Sequence, residues 1–594
     1  MSGEISDAQR REAAQSWRRA LELTAPIAQH PEVTFPIVIE RAAEQFGDTV
    51  ALLSDRETLS YAALAERAGR YAAWARAQSL APGEVVCLMM PNCPEYLAIW
   101  LGITRAGGVV ALINTNLVGD ALRHAISIVR PRHVIVTTEF LDAVAAVLPQ
   151  LGGVQPWAHG EDANGWPRID QAVSAIGPAR DLAAPTLTDR ALYIYTSGTT
   201  GLPKAASVSH YRLMQWTHWF AGLVGATPED RMYNCLPMYH SVGGVVATGA
   251  VLVGGGSVAI RERFSASRFW DDIARWDCTL FQYIGELCRY LAGAPPHPRE
   301  TGHRLRLACG NGLREELWGT LENRFHIPRI IEFYAATEAT FSLYNCDGRP
   351  GAIGRIPAYL AHRFPVALVK SDPDTGDVLR GDDGFCIRCA ADEIGEALGK
   401  LSDRDAKTGG NFEGYTDATA SEAKILRNVF APGDAWYRTG DLMRRDRAGY
   451  FYFADRIGDT FRWKGENVST TEVEAAIATG PGVADAVVYG VAVPGVEGRA
   501  GMAALVTSDG FDLEAFSAHI AQRLPEYARP VFLRLCRQIA TTGTFKPQKQ
   551  AFAREGYDPA TVSDALFIFD RQKDCFTPLD APLHGCLVRG EMRL

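Results

Sequence analysis

The chain has 594 residues, 47% of them apolar and 22% charged, and a formal net charge of −9. That length exceeds what a single hydrophobic core supports, so more than one domain is expected. The acidic balance, without a long basic run, argues against a dedicated nucleic-acid binder. Twelve cysteines are scattered from Cys87 to Cys586, many inside apolar runs such as EVVCLMM. They fit the buried thiols of a cytoplasmic enzyme better than a secreted disulfide scaffold.

In chain order, the opening 23 residues have no apolar stretch of the kind a secretory signal needs. Arg10, Arg11, Arg18 and Arg19 beside Trp17, Leu21 and Leu23 suit an amphipathic helix. Docking on its own domain is preferred, with peripheral contact to a membrane surface as the alternative. Residues 84–90, 108–113, 133–138 and 191–195 read as strands and 95–105 as a helix. Continuous apolar strands alternating with amphipathic helices imply an α/β domain whose parallel-rich sheets are covered on both faces. Residues 242–260 carry no charge and are nearly long enough to span a bilayer. Gly254-Gly255-Gly256 nevertheless divides them into a buried helix, a turn and a strand, so no transmembrane span is expected. Cys386 and Cys389 form a CxxC pair with no second pair at similar spacing, which reads as structural or incidental rather than a zinc site. Beyond residue 450 the pattern becomes strand, turn, strand, helix, with Ser469 and Glu472 at capping-box spacing. Strands at 483–493 and 501–506 and a helix at 512–523 follow, giving a smaller α+β domain.

The most informative stretch is 195–204, YTSGTTGLPK, directly after a strand. Thr196, Ser197, Gly198, Thr199, Thr200 and Gly201 combine hydroxyl donors with glycines that let several backbone N–H groups converge on an anion, and Lys204 adds a positive charge. It is not a Walker A loop, because Pro203 stands where that motif needs glycine. The string resembles the phosphate-loop signature of the adenylate-forming superfamily, which includes acyl-CoA synthetases, firefly-type luciferases and peptide-synthetase adenylation domains.

That resemblance implies the roles of further residues. Gly310-Asn311-Gly312 would line adenine. Phe333 to Glu338 resembles the family's Tyr-Gly-x-Thr-Glu segment. Tyr334 would then stack on adenine with Ala335 beside it, Thr337 would bond the α-phosphate, and Glu338 would hold Mg²⁺, a cation that prefers oxygen ligands. Asp441, in YRTGD, would accept both ribose hydroxyls, and Arg456 would be a second ribose contact. The interdomain hinge falls on Gly458, which divides the chain into an N-terminal domain (1–456), a hinge (457–459) and a mobile C-terminal domain (460–594). Lys546, in TGTFK, would be the catalytic lysine; phenylalanine replaces the usual glycine before it, and Lys549 is the rival.

Residues 458–474 and the TGTFK and ALFIFD segments are closest to the fatty acid transport protein branch, the very-long-chain acyl-CoA synthetases. Ala335 occupies a position that relatives acting on short acids can close with tryptophan, which leaves room for a long chain. Tyr239 and His240 fall at the acyl pocket, where a gating or lining role for His240 is preferred over general base. Gly465, next to Lys464, would leave space for the pantetheine arm of CoA. The expected reaction joins a fatty acid to AMP and then to coenzyme A, consuming ATP with Mg²⁺. Two alternatives stand beside it: transfer of the acyl group to a carrier protein, and a fatty-acid uptake protein with secondary or vestigial ligase chemistry.

Overall fold

The computed structural model describes residues 5–179, 182–197, 203–337, 341–372, 376–401, 412–457, 459–463, 466–494, 496, 498–542, 547–571 and 573–592. The first element, α1 (Asp7–Thr24), is capped by Ser6 and Gln9 in a reciprocal capping box. It buries Ala13, Ser16, Trp17, Ala20 and Thr24, an i, i+3, i+4 stripe. The stripe lies on α2 (His210–Val224), where a methyl on Gly222 would collide with the Ala20 backbone. Ser16 Oγ donates to the Leu223 carbonyl at 3.0 Å, and Trp17 packs edge-on to Trp219. The N-terminal helix is therefore docked on its own domain, with Arg10, Arg11 and Arg18 exposed and Arg19 turned inward, its Nε donating to the Gly222 carbonyl at 3.0 Å.

The chain separates into two contact units. One comprises Met1–Pro365, Gly399–Arg427 and Asp434–Tyr437; the other comprises Val366–Leu398, Asn428–Gly433 and Arg438–Leu594. Two sheets form the first unit's frame among the described residues. A six-stranded sheet runs 155–159, 133–137, 85–89, 109–112, β1 (Arg190–Ser197), β2 (Pro203–Ser209), parallel except for the β1–β2 hairpin. An eight-stranded sheet has the order 343–345, β5 (Ile330–Tyr334), β4 (Leu307–Asn311), β3 (Leu280–Ile284), 231–234, 257–260, 50–53, 58–60, antiparallel only at its two edges. Strand interiors such as Val85–Met89 and Val109–Leu112 are buried throughout, as sheets covered on both faces require. Ligand sites in such sheets gather beyond the carboxyl ends of the strands, where the loops after β1, β4 and β5 lie.

Residues 242–260 form one π-helical turn, a helix (Ala247–Val253), the glycine turn and a strand (Ser257–Ile260). Among the described residues no helix is long and apolar enough to cross a membrane. All twelve cysteines are free.

In the second unit, β6 (Ala435–Arg445) enters from the first and pairs with β7 (Tyr450–Arg456) in antiparallel register, Asp441 opposite Arg456. A short two-stranded ribbon, Phe461–Trp463 with Glu466–Val468, precedes α3 (Thr470–Ala478), which Ser469 caps through the Glu472 N–H. A five-stranded sheet follows (483–492, 499–507, 532–535, 565–570, 575–578), mostly antiparallel, with Leu513–Arg523 and Lys549–Glu555 among its helices. The smaller unit is thus α+β, as its sequence texture predicts.

Candidate active site

The β1–β2 hairpin presents the glycine–hydroxyl loop. Thr196 sits opposite Lys204 and Ser197 opposite Pro203, so both strand ends project to the same place. Lys204 lies over the Tyr415 ring with its Nζ 5.6 Å from the centroid. The 414–416 segment adds to the open edge of β2: Ser207 N–H donates to the Gly414 carbonyl and Thr416 N–H to that of Ala205. Gly198, Thr199, Thr200 and Gly201 lie outside the described residues.

Behind this hairpin is a polar anchor that the sequence reading does not contain. Arg212, on the first turn of α2 and 5% exposed, donates to the Thr337 carbonyl at 2.6 Å and pairs with Glu413 at 3.5 Å. Glu413 also accepts from the Ser209 N–H (2.7 Å) and hydroxyl (2.6 Å). Burial raises the Glu413 carboxyl above its ordinary range, against the pull of Arg212. Ser241 Oγ lies 3.3 Å from Thr337 Oγ1, which joins the Thr337 turn to the segment carrying Tyr239 and His240. Tyr239 is buried and accepts from Asn116 Nδ2 at 3.2 Å, and its ring lies 4.6 Å from that of His240. The glycines after them permit this tight seat: a methyl on Gly244 would strike the Met238 carbonyl. Asn92, buried, holds the same segment by accepting from Met238 N–H and donating to the Leu236 carbonyl, each at 2.8 Å.

The proposed adenine walls come from adjacent strands. Gly310 and Asn311 end β4 and Gly312 follows it, while Tyr334 ends β5, with Gly310 opposite Glu332 in the parallel register. Tyr334 is half-buried and Ala335 exposed. Gly312 adopts φ +79°, a conformation that favours glycine. Glu338 lies outside the described residues.

In the second unit, Asp441 is 7% exposed and its Oδ1 lies 3.2 Å from Arg456 Nε. The turn before it is held by a fully buried carboxylate, Glu396, which takes a bidentate ion pair from Arg438 (2.7–3.1 Å) and the Gly440 N–H at 3.2 Å. Lys549 Nζ donates to Thr470 Oγ1 at 2.6 Å and to Glu474 Oε1 at 2.9 Å, on the first turns of α3. Thr470 in turn donates through its N–H and hydroxyl to Asp455, which precedes Arg456. Gly458, Lys464, Gly465 and Lys546 lie outside the described residues. The pair Cys386 and Cys389 is present, and among the described residues no cluster of three or more His, Cys, Asp or Glu could hold a metal ion.

The structure thus pairs Thr196 with Lys204 across the β1–β2 hairpin, ties Thr337 to the Arg212–Glu413 anchor and to the segment carrying Tyr239 and His240, and sets Gly310–Gly312 and Tyr334 at the ends of neighbouring strands. Arg212 and Glu413 are some 200 positions apart and carry no local motif. Glu332 did leave a signal, a lone acid inside the apolar run IIEFY.

The sequence matches the AMP-binding enzyme family over residues 39–384 and the AMP-binding enzyme C-terminal domain over residues 472–546. Long-chain fatty acid transport protein 1 of Mus musculus is 41% identical over 575 residues, covering 94% of this chain and 88% of its own. The medium/long-chain-fatty-acid–CoA ligase FadD6 of Mycobacterium tuberculosis is 37% identical over 545 residues, covering 91% and 89%. Among solved structures, an anthranilate CoA ligase in complex with anthranoyl-AMP superposes with a TM-score of 0.75 at 21% identity, covering 87% of this chain and 96% of its own. ATP-bound MatB from Rhodopseudomonas palustris gives 0.73 at 24% identity, covering 88% and 99%. These two likenesses establish the fold.

Proposed function

The chain belongs to the family of AMP-binding enzymes, and from that premise we propose that it is a long-chain fatty acyl-CoA synthetase acting through an acyl-adenylate. A carboxylate oxygen of the fatty acid attacks the α-phosphorus of ATP, and pyrophosphate leaves. The CoA thiol, losing its proton, then attacks the acyl carbonyl, and AMP leaves.

Charge spreads over phosphoryl oxygens in the first step, so catalysis rests on positioning and electrostatic stabilisation. The observation that most supports the reading is the hairpin register that sets Lys204 against Thr196 at the mouth of the 198–202 loop. Lys204, the loop's N–H and hydroxyl groups, Thr337 and Lys546 would bind the phosphates. Asn311 and Tyr334 would hold adenine; Asn311 Oδ1 is buried and has no hydrogen-bond partner among the described residues, which suits an incoming donor. Asp441 and Arg456 would hold the ribose. Glu338 would share Mg²⁺ with the nucleotide; carboxylate and phosphate oxygens are the donors this ion prefers, and it would neutralise charge on the phosphates.

Lys549 is already committed to Glu474 and Thr470, which favours Lys546 as the catalytic lysine. The domain division proposed is 1–456, a hinge at 457–459 and 460–594. In this scheme the last turns about Gly458 between the two steps, exchanging Lys546 for the Lys464-Gly465 segment beside pantetheine. The twelve free cysteines suit a cytoplasmic location.

Each methylene buried in an acyl pocket adds about 0.8 kcal/mol, so preference should rise with chain length. CoA-dependent AMP formation across acids from acetate to very long chains tests this. A rate that peaks on long chains is expected; a maximum on acetate or on an aromatic acid refutes the substrate class.

A further inference from the structure

We propose that Glu332 positions the adenine pocket, tying the 310–312 glycine loop to the strand that carries Tyr334, and so sets the preference for adenine over other bases. The inference rests on the reading of those residues as the nucleotide site.

Glu332 lies on β5, two residues before Tyr334, and faces Gly310 of β4 across the ladder. It is 1% exposed. Its Oε1 accepts the N–H groups of Gly312 and of Leu313 (3.2 Å), and its Oε2 accepts the Tyr283 hydroxyl from β3 at 2.6 Å. No cation bonds to it among the described residues; three neutral donors from two elements satisfy it instead. A buried carboxyl group is costly unless its oxygens are bonded, so this arrangement tolerates little displacement of the loop. Backbone approach around it is equally close. A methyl on Gly285 would collide with the Gly312 carbonyl, and one on Gly310 with that of Tyr283.

Because Gly312 and Leu313 point their N–H groups inward to Glu332, the glycine loop is fixed in one conformation just after Asn311. Asn311 Oδ1 is then a buried acceptor without a partner among the described residues. The 6-amino group of adenine is a donor that matches it, whereas a 6-oxo purine presents an acceptor. An acid that freezes this loop therefore acts on base selectivity through Asn311 and Tyr334 and touches no reacting atom; it is a positioning residue.

The test compares ATP with GTP in the full-length enzyme, using a fatty acid the wild type turns over and saturating CoA. Glu332→Ala should raise KM for ATP about tenfold or more and narrow the ATP-over-GTP ratio of kcat/KM by a similar factor. KM for fatty acid and CoA should stay within about twofold. Glu332→Gln keeps one acceptor oxygen for the two N–H groups and should recover most of the selectivity. If the alanine variant does not fold, Tyr283→Phe removes one donor and should shift the same ratio in the same direction by about threefold. An unchanged ATP/GTP ratio in a folded variant overturns this inference alone, as does an equal loss for all three substrates. A wild-type enzyme that forms no AMP overturns the functional reading and this inference with it.

Discussion

Replacing Arg212 by methionine removes the cation that Glu413 was folded against. The two side chains are 6% and 14% exposed and 3.5 Å apart. Breaking a buried pair by removing one partner costs about 3–5 kcal/mol. Ser209 still donates two bonds to Glu413, which places the expected loss near the lower end, about 3 kcal/mol. The Thr337 carbonyl also loses its 2.6 Å donor, so adenylation should fall along with stability. Urea unfolding, followed by the fluorescence of tryptophans such as Trp216 beside Arg212, reads the first effect. Fatty-acid-dependent pyrophosphate exchange reads the second. The double variant Arg212→Met, Glu413→Gln should lose less than the sum of the single changes, by about 1 kcal/mol or more, because the buried charge is gone. A loss under about 1 kcal/mol in Arg212→Met, or simple additivity in the double variant, would refute the anchor.

Burial lifts the Glu332 carboxyl from 4.5 to about 8. The folded state holds this proton more tightly than the unfolded chain, so the group's contribution to stability is full below about 4.5 and is lost as pH rises through 8. The stability difference between wild type and Glu332→Gln, read from urea midpoints, should therefore move against the wild type as pH rises through about 8; a difference that does not change with pH contradicts the assignment. Asp441→Asn gives up one acceptor oxygen of a charged hydrogen-bonding pair, a change that should raise KM for ATP about tenfold and leave that for CoA unchanged. Lys546→Ala should lose adenylation yet still form thioester from supplied acyl-AMP; equal loss of both steps moves the catalytic lysine elsewhere. Gly465→Leu should keep pyrophosphate exchange while losing CoA ligation, and undiminished ligation would remove the pantetheine role.

What could be read from sequence followed from local chemistry. The strand that leads into residues 198–202 is legible because its apolar run stops at a cluster of glycines and hydroxyls, and the structure adds that it spans Arg190–Ser197 and pairs with β2. The 242–260 segment resolves as read because glycines break its apolar run, though its first turn is π-helical, a detail set by the packing of Gly243 and Gly244 against residues 236–238. The supports of the site were illegible for the opposite reason. Glu413 meets Arg212 from 201 positions away, and Glu396 meets Arg438 only through sheet pairing. No period or motif marks such pairs, since their partners are chosen by tertiary proximity.

The central claim, that the acid is activated as a mixed anhydride with AMP, is tested most directly by isotope transfer. A fatty acid labelled with oxygen-18 in its carboxylate is turned over with ATP and CoA, and the nucleotide product is weighed by mass spectrometry. The account predicts AMP carrying one labelled oxygen from the acid. Unlabelled AMP, or ADP as the product, would contradict it.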